Sequence, residues 1–223
     1  METISQKKTN IILIGLIGKK RVGKDTVANI IKKLHPNITT TYALADPIKD
    51  ISRIMFNFTE KQLYDNEKDE IDFSWGIAPR HFFEQFGTEI MQFDIYKYLP
   101  SLEKLIPKRT FWVRSLLNKI EKNNISIETN TTNKIIIITD IRGLHELEEI
   151  KKTYPEAKFI KIIKKDNGNN NSEIDNSLTK EHITQLESNL IPDSLINTTI
   201  YNNMTIDDLE DAVEQFIKSI HLH

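Results

Sequence analysis

Apolar residues in this chain recur in two rhythms. Ile11–Leu16 is a nearly unbroken apolar run of strand length, followed by a turn punctuated by glycine. Apolar residues then fall at 27, 30, 31 and 34, the spacing of a helix over Lys24–Leu34. Thr39–Leu44, β-branched and aromatic, predicts a second strand, and Asp46-Pro47 predicts an N-cap opening a helix through about Met55. Phe82, Phe83, Phe86, Ile90 and Phe93 mark one apolar face of a long helix from Pro79 to about Tyr98. Phe111–Ile120 repeats that pattern with Val113, Leu116 and Leu117.

The strand rhythm returns at Lys134–Thr139, whose four consecutive isoleucines suit a strand buried on both faces. A helix over Leu144–Lys152, a strand over Lys158–Ile163 and a polar, Asn-rich loop over Asn167–Leu178 follow. Glu181–Leu190, a strand near Leu195–Tyr201 and a helix from Ile206 to Ile220 complete the pattern. Buried strands separated by helices predict an α/β fold, a three-layer αβα sandwich on a mostly parallel sheet. Ligands of such sheets sit beyond the carboxyl ends of the strands. The strand ends at Gly15–Gly18, Ala45 and Asp140 are therefore expected to converge on one site.

Composition narrows the chemistry. The 223 residues suffice for a core without staples. No cysteine is present, which excludes disulfides, a thiol nucleophile and thiolate metal sites, and fits a reducing compartment. Thirty basic against 32 acidic side chains give a net charge of −2, which speaks against polymeric nucleic acid as a partner. Neither a signal peptide at the start nor an apolar run near membrane length is found, so a soluble, cytoplasmic protein is expected. The chain has 36 Ile against 4 Val, 19 Asn, and 24 Lys against 6 Arg. That skew lowers the weight of any Asn-rich stretch and raises the interest of each arginine, whose planar fork Lys cannot copy.

The sharpest local signal is Gly18-Lys19-Lys20-Arg21-Val22-Gly23-Lys24, then Asp25-Thr26. It matches the G-x-x-x-x-G-K core of the phosphate-binding P-loop, set between a buried strand and an amphipathic helix as that motif must be. Backbone N–H groups of Gly18 and Lys20 through Thr26 are expected to curl around phosphates, with Lys24 reaching the β and γ oxygens. Asp25 stands where Ser or Thr is usual, and either it or Thr26 would serve Mg²⁺. Asp140, at the end of an apolar strand, fits a second Mg²⁺-holding carboxylate, and Arg142 could neutralise a phosphoryl group in flight.

Four segments, GKKRVGKDTVA from Gly18, YALADPIKDI from Tyr42, PRHFFEQFGTEI from Pro79 and IIIITDIRGLHELEEI from Ile135, carry a resemblance to the viral and phage deoxynucleoside monophosphate kinases. These are a branch of the P-loop nucleoside monophosphate kinases. The resemblance implies transfer of the γ-phosphoryl group of ATP to a (deoxy)nucleoside 5′-monophosphate, with Mg²⁺ as cofactor. It also implies catalytic roles for Lys24, Asp140 and Arg142. Arg80 and Lys49 fit the acceptor phosphate, while Gln85, Thr88 and Glu89, spaced i, i+3, i+4 along one helix, could read sugar or base. The layout expected is one P-loop kinase domain with a helical acceptor-binding insertion at about 46–125 and a mobile loop at about 165–180. The compartment would be the host cytoplasm for a viral protein, and a homodimer stays open. His182 and Glu187 resemble a late histidine–acid pair of the family, but their spacing departs from it and assigns them no role.

Two rival readings are weighed beside this one. GKxxxGKD also resembles the animal-type phosphomevalonate kinases, whose acceptor is likewise a monophosphate. A GTP-binding switch protein would use Asp140-Ile141-Arg142-Gly143 as its D-x-x-G, but Thr179-Lys180-Glu181-His182 lacks the final Asp of a guanine-reading motif.

Overall fold

The computed structural model describes residues 11–125, 134–164, 187–203 and 205–220. The strands are β1 Ile11–Ile17, β2 Thr39–Tyr42, β3 Lys134–Ile141, β4 Lys158–Ile163 and β5 Thr198–Tyr201. The helices among the described residues are α1 Lys24–Leu34, α2 Asp46–Phe56, α3 Glu60–Tyr64, α4 Pro79–Glu84, α5 Ile95–Tyr98, α6 Phe111–Ile125, α7 Leu144–Thr153 and α8 Ile206–Ser219. The chain divides into two compact units. One is built from Met1–Tyr42 and Lys122–His223 and holds the sheet; the other, Ala43–Glu121, is helical. The loop expected at about 165–180, His182, and the part of the Glu181–Leu190 segment before Glu187 lie outside the described residues.

All five strands run parallel in the order β2-β3-β1-β4-β5. The fold is therefore the expected α/β parallel sheet with helices on both faces. Ile14 and Leu16 of β1, Ile135 and Ile137 of β3, and Ile160 and Ile162 of β4 join one buried cluster with Val27 and Ile31 of α1 and Val213 and Ile217 of α8. Alternation along each strand sends Leu13, Gly15 and Phe159 to the opposite face, where Lys151 of α7 lies over the Phe159 ring. At about 1.5–3 kcal/mol for each fully buried aliphatic or Phe side chain, these two faces account for the isoleucine runs of the sequence.

The first crossover leaves β1 towards β2, while the crossover after β3 passes β1 to reach β4. The connections after two adjacent strands thus depart in opposite directions, which opens a crevice at their carboxyl ends. A bulge shapes that end. Gly15 pairs with Ile138 and Ile17 with Ile141, so β3 spends two residues, Thr139 and Asp140, opposite Leu16. The extra residue reverses the alternation and turns Ile141 onto the face of Gly15, where the Ile141 Cδ1 and Phe159 leave no room for a Cβ.

In the helical unit the aromatic side chains connect. Phe56 stacks on Phe58 and meets Trp75 and Phe82 edge-on; Phe82 stacks on Phe86, which tilts against Trp112. Both indole N–H groups are satisfied by carbonyls, Trp75 donating to Phe56 O at 2.9 Å and Trp112 to Gly87 O at 2.6 Å.

Three boundaries differ from expectation. β2 stops at Tyr42 because the chain turns at Ala43, whose N–H donates to the Asp46 carboxylate at 2.8 Å. Asp46 is consequently the first residue of α2 and Ala45 its N-cap, which corrects the expected Asp46 cap. The long helix from Pro79 is present, but its middle, Gln85–Asp94, is π-helical: Ile95 N–H donates five residues back, to Ile90 O.

Candidate phosphate-binding site

The loop from Gly18 to Gly23 leaves β1 and enters α1, and its shape depends on backbone that L side chains seldom adopt. Gly23 has φ 101° and Arg21 φ 64°. A Cβ on Gly18 would lie 2.6 Å from Ile162 O and 2.9 Å from Val22 Cγ2, so the loop sits tightly on the end of β4. Val22 is buried with the core, whereas Lys19, Lys20 and Arg21 are exposed at the tip.

Lys24, the first residue of α1, folds back over the loop. Its Nζ donates to Gly18 O at 2.8 Å and Lys19 O at 2.7 Å. Burial, with the charge of Arg142, holds the ammonium below its usual range, while Asp25 and Asp140 pull the other way. Three other sequence-predicted residues, Asp25, Asp140 and Arg142, therefore act electrostatically on Lys24 at the carboxyl ends of β1 and β3. Thr26 lies beside Gly23, its Oγ1 4.0 Å from where a Cβ there would stand.

Among the described residues, no three His, Cys, Asp or Glu converge as a metal cage. Mg²⁺ seldom needs one, since it binds through one or two carboxylates together with phosphates and water. Asp25 and Asp140, both near enough to act on Lys24, offer that kind of donor set.

Two side chains that the sequence reading missed shape this region. Glu146, the third residue of α7, accepts from Arg142 N–H at 2.7 Å and Gly143 N–H at 3.0 Å, fixing the turn that follows Asp140. Burial pushes its carboxyl up to about 7, against the lowering effect of those two donors. A Glu at the third position of a helix, placed to accept from the N-cap backbone N–H, was the available signal. Asn202, at the end of β5, donates from Nδ2 to Val22 O at 2.9 Å. An unusually Asn-rich composition hid it.

The residues expected at the acceptor lie in the helical unit, and Lys49 and Arg80 are already engaged there. Lys49 sits over the Tyr64 ring with Nζ 3.9 Å from its centroid. Arg80 forms an ion pair with Asp69 through Nε and, at 3.3 Å, through Nη2. Gln85, Thr88 and Glu89 all fall in the π-helical stretch. Its wider turn repeats a face about every four to five residues, so Gln85 and Glu89 share a side and the i, i+3 relation with Thr88 is lost.

Residues 12–77 match the family model of the deoxynucleotide monophosphate kinases. Over that stretch the chain resembles those kinases. The match takes in the P-loop and the Tyr42–Ile51 segment with Lys49, bears out the resemblance drawn from them, and supports a nucleotide-binding phosphotransferase. No curated protein sequence matches. Among solved structures, shikimate kinase from Aquifex aeolicus is 13% identical with a TM-score of 0.45, covering 95% of this chain and 99% of its own. Dephospho-CoA kinase from Campylobacter jejuni is 16% identical with a TM-score of 0.43, covering 94% of this chain and 97% of its own. TT1252 from Thermus thermophilus is 13% identical with a TM-score of 0.45, covering 94% and 98%. These likenesses are loose, and the fold rests on the strand order and register. No helix among the described residues is long and apolar enough to cross a membrane.

Proposed function

We propose that this chain transfers the γ-phosphoryl group of ATP to a (deoxy)nucleoside 5′-monophosphate, giving the diphosphate for nucleotide supply to DNA synthesis. The observation that carries the reading is the P-loop lysine, Lys24, folded over Gly18 and Lys19 and within the field of Asp25 beside it and of Asp140 and Arg142 at the end of β3. The family-model match over residues 12–77 supports the choice of acceptor class.

The residues supply what phosphoryl transfer requires, namely positioning and neutralisation of charge. Backbone N–H groups of Gly18 and of Lys20 through Thr26 cradle the β- and γ-phosphates at the start of α1. Lys24 exchanges the two loop carbonyls for phosphate oxygens, a charge-assisted replacement for neutral acceptors. Arg142 presents its guanidinium to the transferred group, its backbone clamped by Glu146. Asp140 with Asp25 or Thr26 would hold Mg²⁺, which when bound neutralises charge between the β- and γ-phosphates. Arg80 and Lys49 take the acceptor phosphate, and Gln85 and Glu89, which share a side of the π-helical stretch, the sugar or base. No general base is required, because a phosphate oxygen of the acceptor is already a competent nucleophile.

The test is ADP release from ATP and Mg²⁺ with a panel of the eight common nucleoside and deoxynucleoside monophosphates and with phosphomevalonate. Turnover of one or more deoxynucleotides supports the reading. Turnover of phosphomevalonate alone overturns it in favour of the other monophosphate kinase.

A further inference from the structure

We infer that Asn202 is a positioning residue for the donor phosphates, acting through the peptide between Val22 and Gly23. The inference rests on the P-loop reading above. Asn202 is fixed at both ends: its backbone N–H donates to Ile163 O at 2.8 Å, and its side-chain Nδ2 donates to Val22 O at 2.9 Å. The same Nδ2 also packs against the glycine of that peptide. The Asn202 amide lies against Gly23 where any Cβ would stand, and Gly23 has φ 101°. In a planar trans peptide the carbonyl and the next N–H point in opposite directions. Drawing Val22 O towards Asn202 therefore turns the Gly23 N–H away from Asn202.

One residue, through its backbone N–H and its side-chain amide, thus links the ends of β4 and β5 to the peptide between Val22 and Gly23. Without its donor, the Val22 carbonyl is free to rotate inwards and present an acceptor to an anion, which disfavours binding. A side chain that merely filled the space beside Gly23 would not have this effect, so donor and bulk can be separated.

The experiment is calorimetric titration of inorganic tripolyphosphate into the wild type, Asn202→Ala and Asn202→Leu, with Lys24→Ala as the control for the loop itself. Leu restores the bulk and not the donor. Both Asn202 variants are expected to bind about tenfold more weakly, equivalent to about 1.4 kcal/mol. In turnover they should raise the KM for ATP and leave that for the acceptor unchanged. Retained affinity in Asn202→Leu overturns the donor role. Should either variant fold poorly, the unmutated protein decides by NMR: the Gly23 amide resonance must shift on adding tripolyphosphate, and a static Gly23 resonance overturns the inference. Wild-type protein that takes up no tripolyphosphate overturns the P-loop reading and this inference together, whereas binding unaffected by either variant overturns the role of Asn202 alone.

Discussion

Lys24 is a cation held where the folded chain does not favour one, half-buried and beside the guanidinium of Arg142. Its lowered pKa means that, between that value and the ordinary 10.5, the unfolded chain binds a proton that the folded chain does not, so stability rises with pH across that window. At neutral pH the charge is a cost the fold carries for its ligand. Lys24→Ala should therefore lose at least about 10²–10³-fold in kcat/KM while keeping or slightly raising the melting temperature. Activity and thermal melts on the same sample check this; a collapse of the melt would make Lys24 a structural residue. Arg80 presents the opposite case, since its anionic partner Asp69 is part of the protein. The pair is solvent-exposed enough to contribute no more than about 1 kcal/mol, so a phosphate dianion can displace it. Arg80→Ala should raise the KM of the acceptor about tenfold or more and that of ATP much less. Equal effects on both in steady-state kinetics would remove Arg80 from the acceptor site.

At the level of elements, the sequence was legible wherever burial on both faces dictated composition. The isoleucine runs at Ile11–Ile17 and Lys134–Ile141 announced β1 and β3, and the glycines between β1 and α1 announced the loop. Illegible were the features that depend on one residue more or less. A bulge at Thr139 and Asp140 changes no residue type, yet it decides which face Ile141 covers. The π-helical turn over Gln85–Asp94 has an apolar spacing too close to that of an α-helix to be told apart over ten residues. Glu146 was missed for a different reason, since a Glu at the third position of a helix usually signals only a cap. Here burial raises it to about 7 from an ordinary 4.5. Between those values the folded chain keeps a proton that the unfolded chain has lost, so this group's contribution to stability falls as pH rises through that window. Glu146→Gln keeps a carbonyl acceptor for Arg142 and Gly143 and should flatten the slope. Urea midpoints measured from about pH 5 to about pH 8 read it directly, and parallel slopes in both proteins would refute it.

For the molecule as a whole, the net charge of −2 hid a local concentration of cations. Lys19, Lys20 and Arg21 are exposed on the tip of one loop, with Lys24 behind them, which suits a small polyphosphate better than a polymer. The division into two units gives that ligand a measurable consequence. The buried cluster from Ile14 to Ile217 belongs entirely to the sheet unit, whereas the stacked aromatics from Phe56 to Trp112 belong entirely to the helical one. Both tryptophans of the chain, Trp75 and Trp112, lie between Ala43 and Glu121. Tryptophan fluorescence therefore follows the melting of the helical unit, while far-ultraviolet circular dichroism follows both. A ligand held by the P-loop alone, such as tripolyphosphate at about a hundred times its Kd, stabilises what it binds by about 2.7 kcal/mol. Because each unit carries its own core, the ligand should raise the midpoint seen by circular dichroism and leave that of tryptophan fluorescence where it was. Equal shifts in the two signals would show that sheet and helical units unfold as one cooperative body, with the cost of opening the P-loop shared across the whole chain.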